Sequence, residues 1–320
     1  MDPSRRGFLH AIGATLVVGP FLWPDEAHAK ATIAQLGAKI EPGNRFWSFR
    51  FRWKDVNDKK QLAEFKVKTR VVRRDLRTPK RLSIERVNKE VAKLINAQPA
   101  SAFGARVTAS VQGRTMMLRT HATNPVVMAS SLKKAKRFQH KAMRAALAKR
   151  GYLLTPGNLV MPNHARLTFE YSALMKPLVK GLGGRRDKPK AFARHALGFV
   201  QSIPYELRAL QQDRYRRPFA ILAKNKGDCD SKVVLYLAML RHAWPNLRSA
   251  VVYIKGHAFA ALDIRPKGQQ VGVPVKGRKW VAVEPTGPML APLGVLAPSS
   301  IQGMMVGFDV RVVPNTKKRK

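Results

Sequence analysis

Cys229 is the only cysteine of the 320-residue chain, and it stands in Asn225-Lys226-Gly227-Asp228-Cys229-Asp230-Ser231-Lys232, directly ahead of a long apolar run. Asp228 is suited to cap a helix that begins there, and the open N–H groups of a first helical turn favour negative charge on sulfur. That setting lowers a thiol pKa and makes the sulfur nucleophilic. Such a thiol needs a base, and the base needs an orienting partner. Both follow in order: His257 in Gly256-His257-Ala258-Phe259, and Glu284 in Trp280-Val281-Ala282-Val283-Glu284-Pro285-Thr286. The chemistry these residue types could perform is acyl transfer through a thioester. His257 would take the thiol proton and Glu284 would fix the imidazole tautomer. The backbone N–H of Cys229 is a natural oxyanion donor. Gln211, Gln212 and Tyr215, in the polar stretch before the cysteine, are candidates for a second.

Gly-Asp-Cys-Asp-Ser-Lys entering a helix, Gly-His-Ala-Phe on a strand and Trp-Val-Ala-Val-Glu-Pro-Thr on the next strand resemble the transglutaminase-like superfamily. The resemblance covers about residues 187–290. It implies a papain-like core, in which a buried helix delivers the cysteine against an antiparallel sheet, and a Cys-His-Asp type of triad. The family has Asp before Pro-Thr where this chain has Glu284, so the longer side chain requires its backbone to sit further back. Asp263 is the rival third member. It lies six residues beyond His257 on the same expected strand, roughly 20 Å away at about 3.3 Å per residue, and cannot reach the imidazole. Asp230 reads as a charge at a helix N-terminus. His121, His140, His164, His195 and His242 show no ligand spacing, so no metal is implied, and no phosphate loop or dinucleotide fingerprint suggests a cofactor.

The elements that must position these residues are readable in outline. Residues 231–243 form a helix apolar nearly all round, as a buried helix is. Strands are expected at 249–254, 257–264 and 279–283. Helices are expected at 164–182 and 189–202, a loop at 181–188, and a loop-like, substrate-facing stretch at 205–226. Upstream, residues 45–54 alternate Trp47, Phe49, Phe51 and Trp53 with Ser48, Arg50, Arg52 and Lys54, the pattern of a half-buried strand. Residues 64–73 continue that alternation and pair with it. A basic amphipathic helix (83–96), a second hairpin (106–111 with 115–119) and a very basic helix (131–150) follow. The expected fold is therefore α+β: a basic α+β N-terminal domain over 30–155, a transglutaminase-like catalytic domain over 156–310, and a basic, disordered tail over 311–320.

Charge bounds the partners. The chain carries 60 Lys plus Arg against 19 Asp plus Glu, a formal net charge of +41. Such a field attracts polyanions and is weakened by salt. At the N-terminus, Ser4-Arg5-Arg6-Gly7-Phe8-Leu9 resembles the twin-arginine export motif. Residues 7–23 supply a moderately apolar stretch, and Ala27-His28-Ala29 supplies a small-x-small cleavage pattern. The stretch is broken by Gly13, Gly19 and Pro20 and is shorter than the ~20 apolar residues of a spanning helix. A signal peptide over 1–29, cleaved near Ala29, and a periplasmic location follow as expectations. They favour an anionic envelope polymer or a membrane surface over nucleic acid as a partner. The functional expectation is an exported cysteine hydrolase acting on peptide or protein amide bonds. The alternative is a catalytically weak module of the same fold that binds anionic envelope polymers.

Overall fold

The computed structural model describes residues 34–77, 82–154, 160–184, 188–206, 216–287 and 289–314. The expected signal peptide and the candidate donors Gln211, Gln212 and Tyr215 lie outside them. The protein is α+β with antiparallel sheets. The chain divides between residues 79 and 80 and again between 163 and 164, so that 80–163 form one compact unit and the flanking stretches together form the other. By this division the first hairpin groups with the cysteine-bearing part of the chain.

The reason lies in the aromatic face of that hairpin. Strands β1 (Gln35–Glu41), β2 (Phe46–Lys54) and β3 (Lys60–Lys68) form a three-stranded antiparallel sheet. Phe49, Phe51, Trp53, Ala63, Phe65 and Val67 are buried on one face, while Arg50, Arg52, Glu64 and Lys66 are exposed on the other. Phe49 stacks on Phe65 across the strands at 5.1 Å. Phe51 and Trp53 meet the ring of Phe199 edge-on at 5.4 and 5.3 Å. Phe199 lies far along the chain, so its partners cannot be assigned from local pattern. The strand expected through residue 73 stops at Lys68, and helix α1 (Thr69–Leu76) follows. The Thr69 hydroxyl donates to the carbonyl of Gly43 at 2.5 Å and the Thr69 amide to that of Arg45 at 3.0 Å. Beyond that anchor the buried positions are Thr69, Val72 and Asp75, a spacing of three rather than two.

The unit over 80–163 holds α2 (Ile84–Asn96), α3 (Ala100–Phe103), hairpin β4–β5 (Val107–Gln112, Thr115–Thr120), α4 (Pro125–Lys149) and hairpin β6–β7 (Tyr152–Leu154, Val160–Pro162). Val87, Val91, Ile95, Phe103, Met116, Met143 and Leu147 form its core. Helix α4 starts six residues earlier than its apolar pattern suggests. Asn124 accepts the N–H groups of Val126 and Val127, and Pro125 occupies the first turn.

In the other unit, α5 (His164–Ser172) and α6 (Lys176–Gly181) replace the single helix expected over 164–182. Pro177 lacks the N–H that would continue it. Then come α7 (Pro189–Ser202), α8 (Pro218–Lys224), α9 (Cys229–Ala243), β8 (Ser249–Ile254), β9 (His257–Leu262), β10 (Gly272–Val275), β11 (Arg278–Val283), α10 (Pro298–Val306) and β12 (Asp309–Val312). Helix α8 lies within the stretch expected to be loop. Strand β12 pairs with β8, and Val313 is buried, so the tail expected from 311 begins in the sheet. The five strands run in the order β10-β11-β9-β8-β12, antiparallel throughout. Helix α9 packs on β9, α5 and α7. Val233, Val234, Leu235, Leu237 and Met239 on α9 are fully buried, each contributing about 1.5–3 kcal/mol by leaving water.

Candidate active site

The loop that delivers Cys229 is fixed from both sides. Helix α8 ends at Asn225 in the left-handed region, and the side-chain amides of Asn225 and Gln35 exchange hydrogen bonds of 2.9 and 2.7 Å. The Gly227 amide donates to the carbonyl of Pro204, and the Glu206 amide donates to the carbonyl of Gly227. A Cβ on Gly227 would stand 3.3 Å from Ile221 and from the Lys232 stem, so a larger residue would require those side chains to give by a few tenths of an ångström. Asp228 then caps α9, accepting the Ser231 amide at 3.2 Å, and Cys229 opens the helix as the sequence predicts.

His257 leads β9 and Glu284 directly follows β11. The register pairs Val283 with Ala260 across the two strands, which brings the imidazole and the carboxylate to the same end of the sheet. His257 Nε2 lies 2.7 Å from Glu284 Oε2, with both side chains at most 5 % exposed. The carboxylate also accepts the Thr286 amide at 3.1 Å and the Ser300 hydroxyl of α10 at 3.4 Å. Its backbone is held by Gln201 of α7, whose amide donates to the Glu284 and Ala291 carbonyls at 2.8 and 3.0 Å. The longer glutamate side chain therefore spans the gap to the ring. Cys229 joins this pair through β9: its sulfur accepts the N–H of Ala258, the residue after His257. His257 and Glu284 thus meet at one end of the sheet, and Cys229 lies against the strand residue that follows His257. Asp263 does not join them and instead accepts Arg248 at 2.7 Å.

Electrostatics alter one expectation. Burial pushes the Cys229 thiol well above its ordinary value, Asp230 and Asp228 push it further, and Glu284 adds to them; the Ala258 N–H opposes. The helix N-terminus alone predicts a low value, but it does not register two flanking carboxylates and an 8 % exposed residue. The resting group is a neutral thiol. Alkylation by iodoacetamide should therefore accelerate steeply, by about tenfold per pH unit from mildly acid through mildly alkaline pH, as the thiolate fraction grows. A rate constant that stays flat over that range would mean a preformed thiolate. For Glu284, burial raises the carboxyl, but the charge and hydrogen bond of His257 with the Thr286 contacts outweigh it and hold the group below the usual range.

Three neighbours were not singled out in advance. Lys232, one turn along α9, is fully buried and donates to the carbonyls of Ile203, at 2.7 Å, and Thr286. It thereby ties the segment after Glu284 to the end of α7. Lysine is almost never fully buried without partners, and nothing local in the sequence marks this one. His164 of α5 is fully buried, with Nδ1 2.9 Å from the Tyr253 hydroxyl and Nε2 3.0 Å from Asp230. This neighbour holds Asp230 from the side of α5. Tyr205, bridged to Gly227, has its phenol raised by burial and by the nearby Cys229, Asp228, Asp230 and Glu284. It stays a neutral O–H donor.

Burial pulls Lys232 down to about 7, against the pull of Glu284, Asp228 and Cys229. Below that pH the folded and unfolded states both carry the proton, and the folded state bears the burial penalty in full. Between about 7 and the ordinary lysine range the unfolded chain binds more protons, so stability rises with pH there. Lys232→Met should remove this increment. Thermal melts of both proteins across that range should show wild type gaining Tm relative to the variant as pH rises, and parallel curves would refute it.

Among the described residues no group of three or more His, Cys, Asp or Glu side chains is arranged to hold a metal ion, and no helix is long and apolar enough to cross a membrane. No family model, curated protein or solved structure matches the chain.

Proposed function

We propose that this chain is an exported cysteine hydrolase of transglutaminase-like type, with a papain-like core and a Cys229-His257-Glu284 triad that cleaves amide bonds through a thioester. The observation that carries the reading is the buried His257–Glu284 pair at 2.7 Å, beside a cysteine whose sulfur accepts the next residue's N–H. With Nε2 engaged by Glu284, Nδ1 is the nitrogen that takes the thiol proton as sulfur attacks the substrate carbonyl. Because the resting thiol is neutral, proton transfer and attack are coupled. The Cys229 N–H and the Tyr205 hydroxyl are the candidate donors to the oxyanion. The imidazolium then protonates the leaving amine as the C–N bond breaks. Water, deprotonated by His257, attacks the thioester, releasing the carboxylic acid and restoring the thiol. No cofactor is required for these steps.

The substrate class rests on charge and on the export-like N-terminus. A net +41 protein suits peptide amides attached to an anionic envelope polymer or membrane surface. The raised thiol favours a second reading, a catalytically weak module of the same fold that binds such polymers. Alkylation does not separate the two, since both contain a neutral thiol. Acylation does: an activated ester should load Cys229 covalently and release the acyl group to water in the first reading only.

A further inference from the structure

Helix α1 carries Arg70, Arg73 and Arg74, and Arg77 follows at its C-cap, so that the four stand at i, i+3, i+4 and i+7 as a single stripe. The stripe faces a cleft of about 760 Å³ whose rim is completed by Arg45, Lys68 and the half-buried ring of Phe46. That volume is in the range of small-ligand pockets, about 300–1,000 Å³. Among the described residues no acidic side chain lines the cleft. Arg74 meets the buried Asp75 at 3.1 Å, and Arg45 lies over Phe46 at 5.5 Å. Among the described residues no ion pair is formed by Arg45, Lys68, Arg70, Arg73 or Arg77. Like charges three and four residues apart destabilise a helix, and among the described residues of this stripe only Arg74 has an acidic partner. By contrast, a second cleft, on the 80–163 unit, has Glu90 among its lysines, paired to Arg150 at 2.7 Å.

We infer that this arginine cleft is a binding site for a ligand carrying at least two phosphoryl groups. The guanidinium fork matches phosphate oxygens bidentately, and each phosphoryl group offers up to two negative charges to a cluster of this size. Arg70 and Arg77 are separated along the helix by about 10 Å at ~1.5 Å per residue, enough for two phosphoryl groups on one small molecule or lipid headgroup. The buried face of the same helix reaches the cysteine-bearing region. Asp75 accepts the Tyr171 hydroxyl at 2.7 Å and the Phe219 amide of α8 at 3.1 Å, and Arg217 donates to the carbonyl of Arg74 at 3.2 Å. The site stands whether or not Cys229 turns over a substrate.

The test titrates the full chain with inorganic tripolyphosphate by calorimetry and measures co-sedimentation with phosphatidylcholine vesicles with or without cardiolipin. The variants are Arg70→Ala/Arg73→Ala/Arg77→Ala and a charge-matched control, Lys133→Ala/Lys136→Ala/Arg137→Ala, on the exposed face of α4. Arg77→Glu, at the C-cap of α1, serves if the cleft triple does not fold. Saturable tripolyphosphate binding, weakened about tenfold or more by the cleft variants and much less by the control, is the expected result. A parallel, cleft-dependent loss of cardiolipin binding assigns the ligand to a lipid headgroup; tripolyphosphate binding without it assigns a soluble ligand. Non-saturating binding, or equal loss in the control, overturns the site.

Discussion

Cys229→Ala is expected to abolish turnover and covalent loading while leaving the fold in place. In a thiol acyl-transfer site the sulfur is the bond-forming atom, and no neighbour can replace it: Asp228 and Asp230 are committed to the Ser231 amide, and Asp230 also to His164. Removing the nucleophile of a triad costs about 10⁴-fold or more, the residue of the rate coming from the oxyanion donors and binding alone. The fold has little to lose, because the change deletes one small buried atom at a helix start capped by Asp228 rather than by the cysteine. The loss of the sulfur, and with it of the acceptor for the Ala258 N–H, is expected to cost on the order of 1 kcal/mol. Mass spectrometry after exposure to an activated acyl ester should show one adduct on wild type, released by water, and none on the variant, with melting temperatures within a few degrees. An adduct on the variant, or none on wild type, would remove the enzymatic reading and leave the anion-binding one.

How far the site could be read from sequence follows from which of its determinants are local. The capping aspartate, the all-round apolar helix and the apolar strands are short-range signals, so the positions of Cys229 at the start of α9, His257 on β9 and Glu284 just after β11 are legible in the sequence. The meeting of His257 and Glu284 depends on the β9–β11 register, which no local pattern encodes. Lys232 looks like any helical lysine until the carbonyls of Ile203 and Thr286 close around it. The direction of the Cys229 shift is only half legible: the flanking Asp230 and Asp228 stand in the sequence beside the helix start, whereas burial, the largest cause, and the nearness of Glu284 are not visible there. The alternation over 64–73 misled because Thr69 is buried in both a strand and a helix pattern, and only its bonds to Gly43 and Arg45 decide between them. The packing of the aromatic hairpin is not local either, since it finds its partner, Phe199, more than a hundred residues later.

Glu284 offers the sharper test of how the imidazole is held. Glu284→Gln keeps the shape but removes the charge that stabilises an imidazolium, and its single amide oxygen can accept only one of the two bonds that Thr286 and Ser300 donate to Oε1 and Oε2. It can also present an N–H to Nε2 and so impose the wrong tautomer; the expected loss in kcat is about 10²–10⁴-fold. Glu284→Asp keeps the charge but draws the carboxylate back by about 1.5 Å, one C–C bond. The backbone cannot advance to compensate, since Gln201 holds the Glu284 carbonyl and Lys232 holds that of Thr286. Aspartate, the residue usual in the family the motifs resemble, should therefore be worse than glutamate here. The acid limb of the stability curve adds an independent readout. A carboxyl held below its unfolded value stabilises the fold above the usual carboxylate range, and this contribution is lost as pH falls through the folded value. Glu284→Gln should lack that loss, so its Tm should fall less steeply in acid than wild type. Should Glu284→Asp match or exceed wild type in kcat, the extra methylene is not what positions the ring. Should Glu284→Gln retain full activity and the wild-type acid limb, the pair is structural and His257 is oriented by something else.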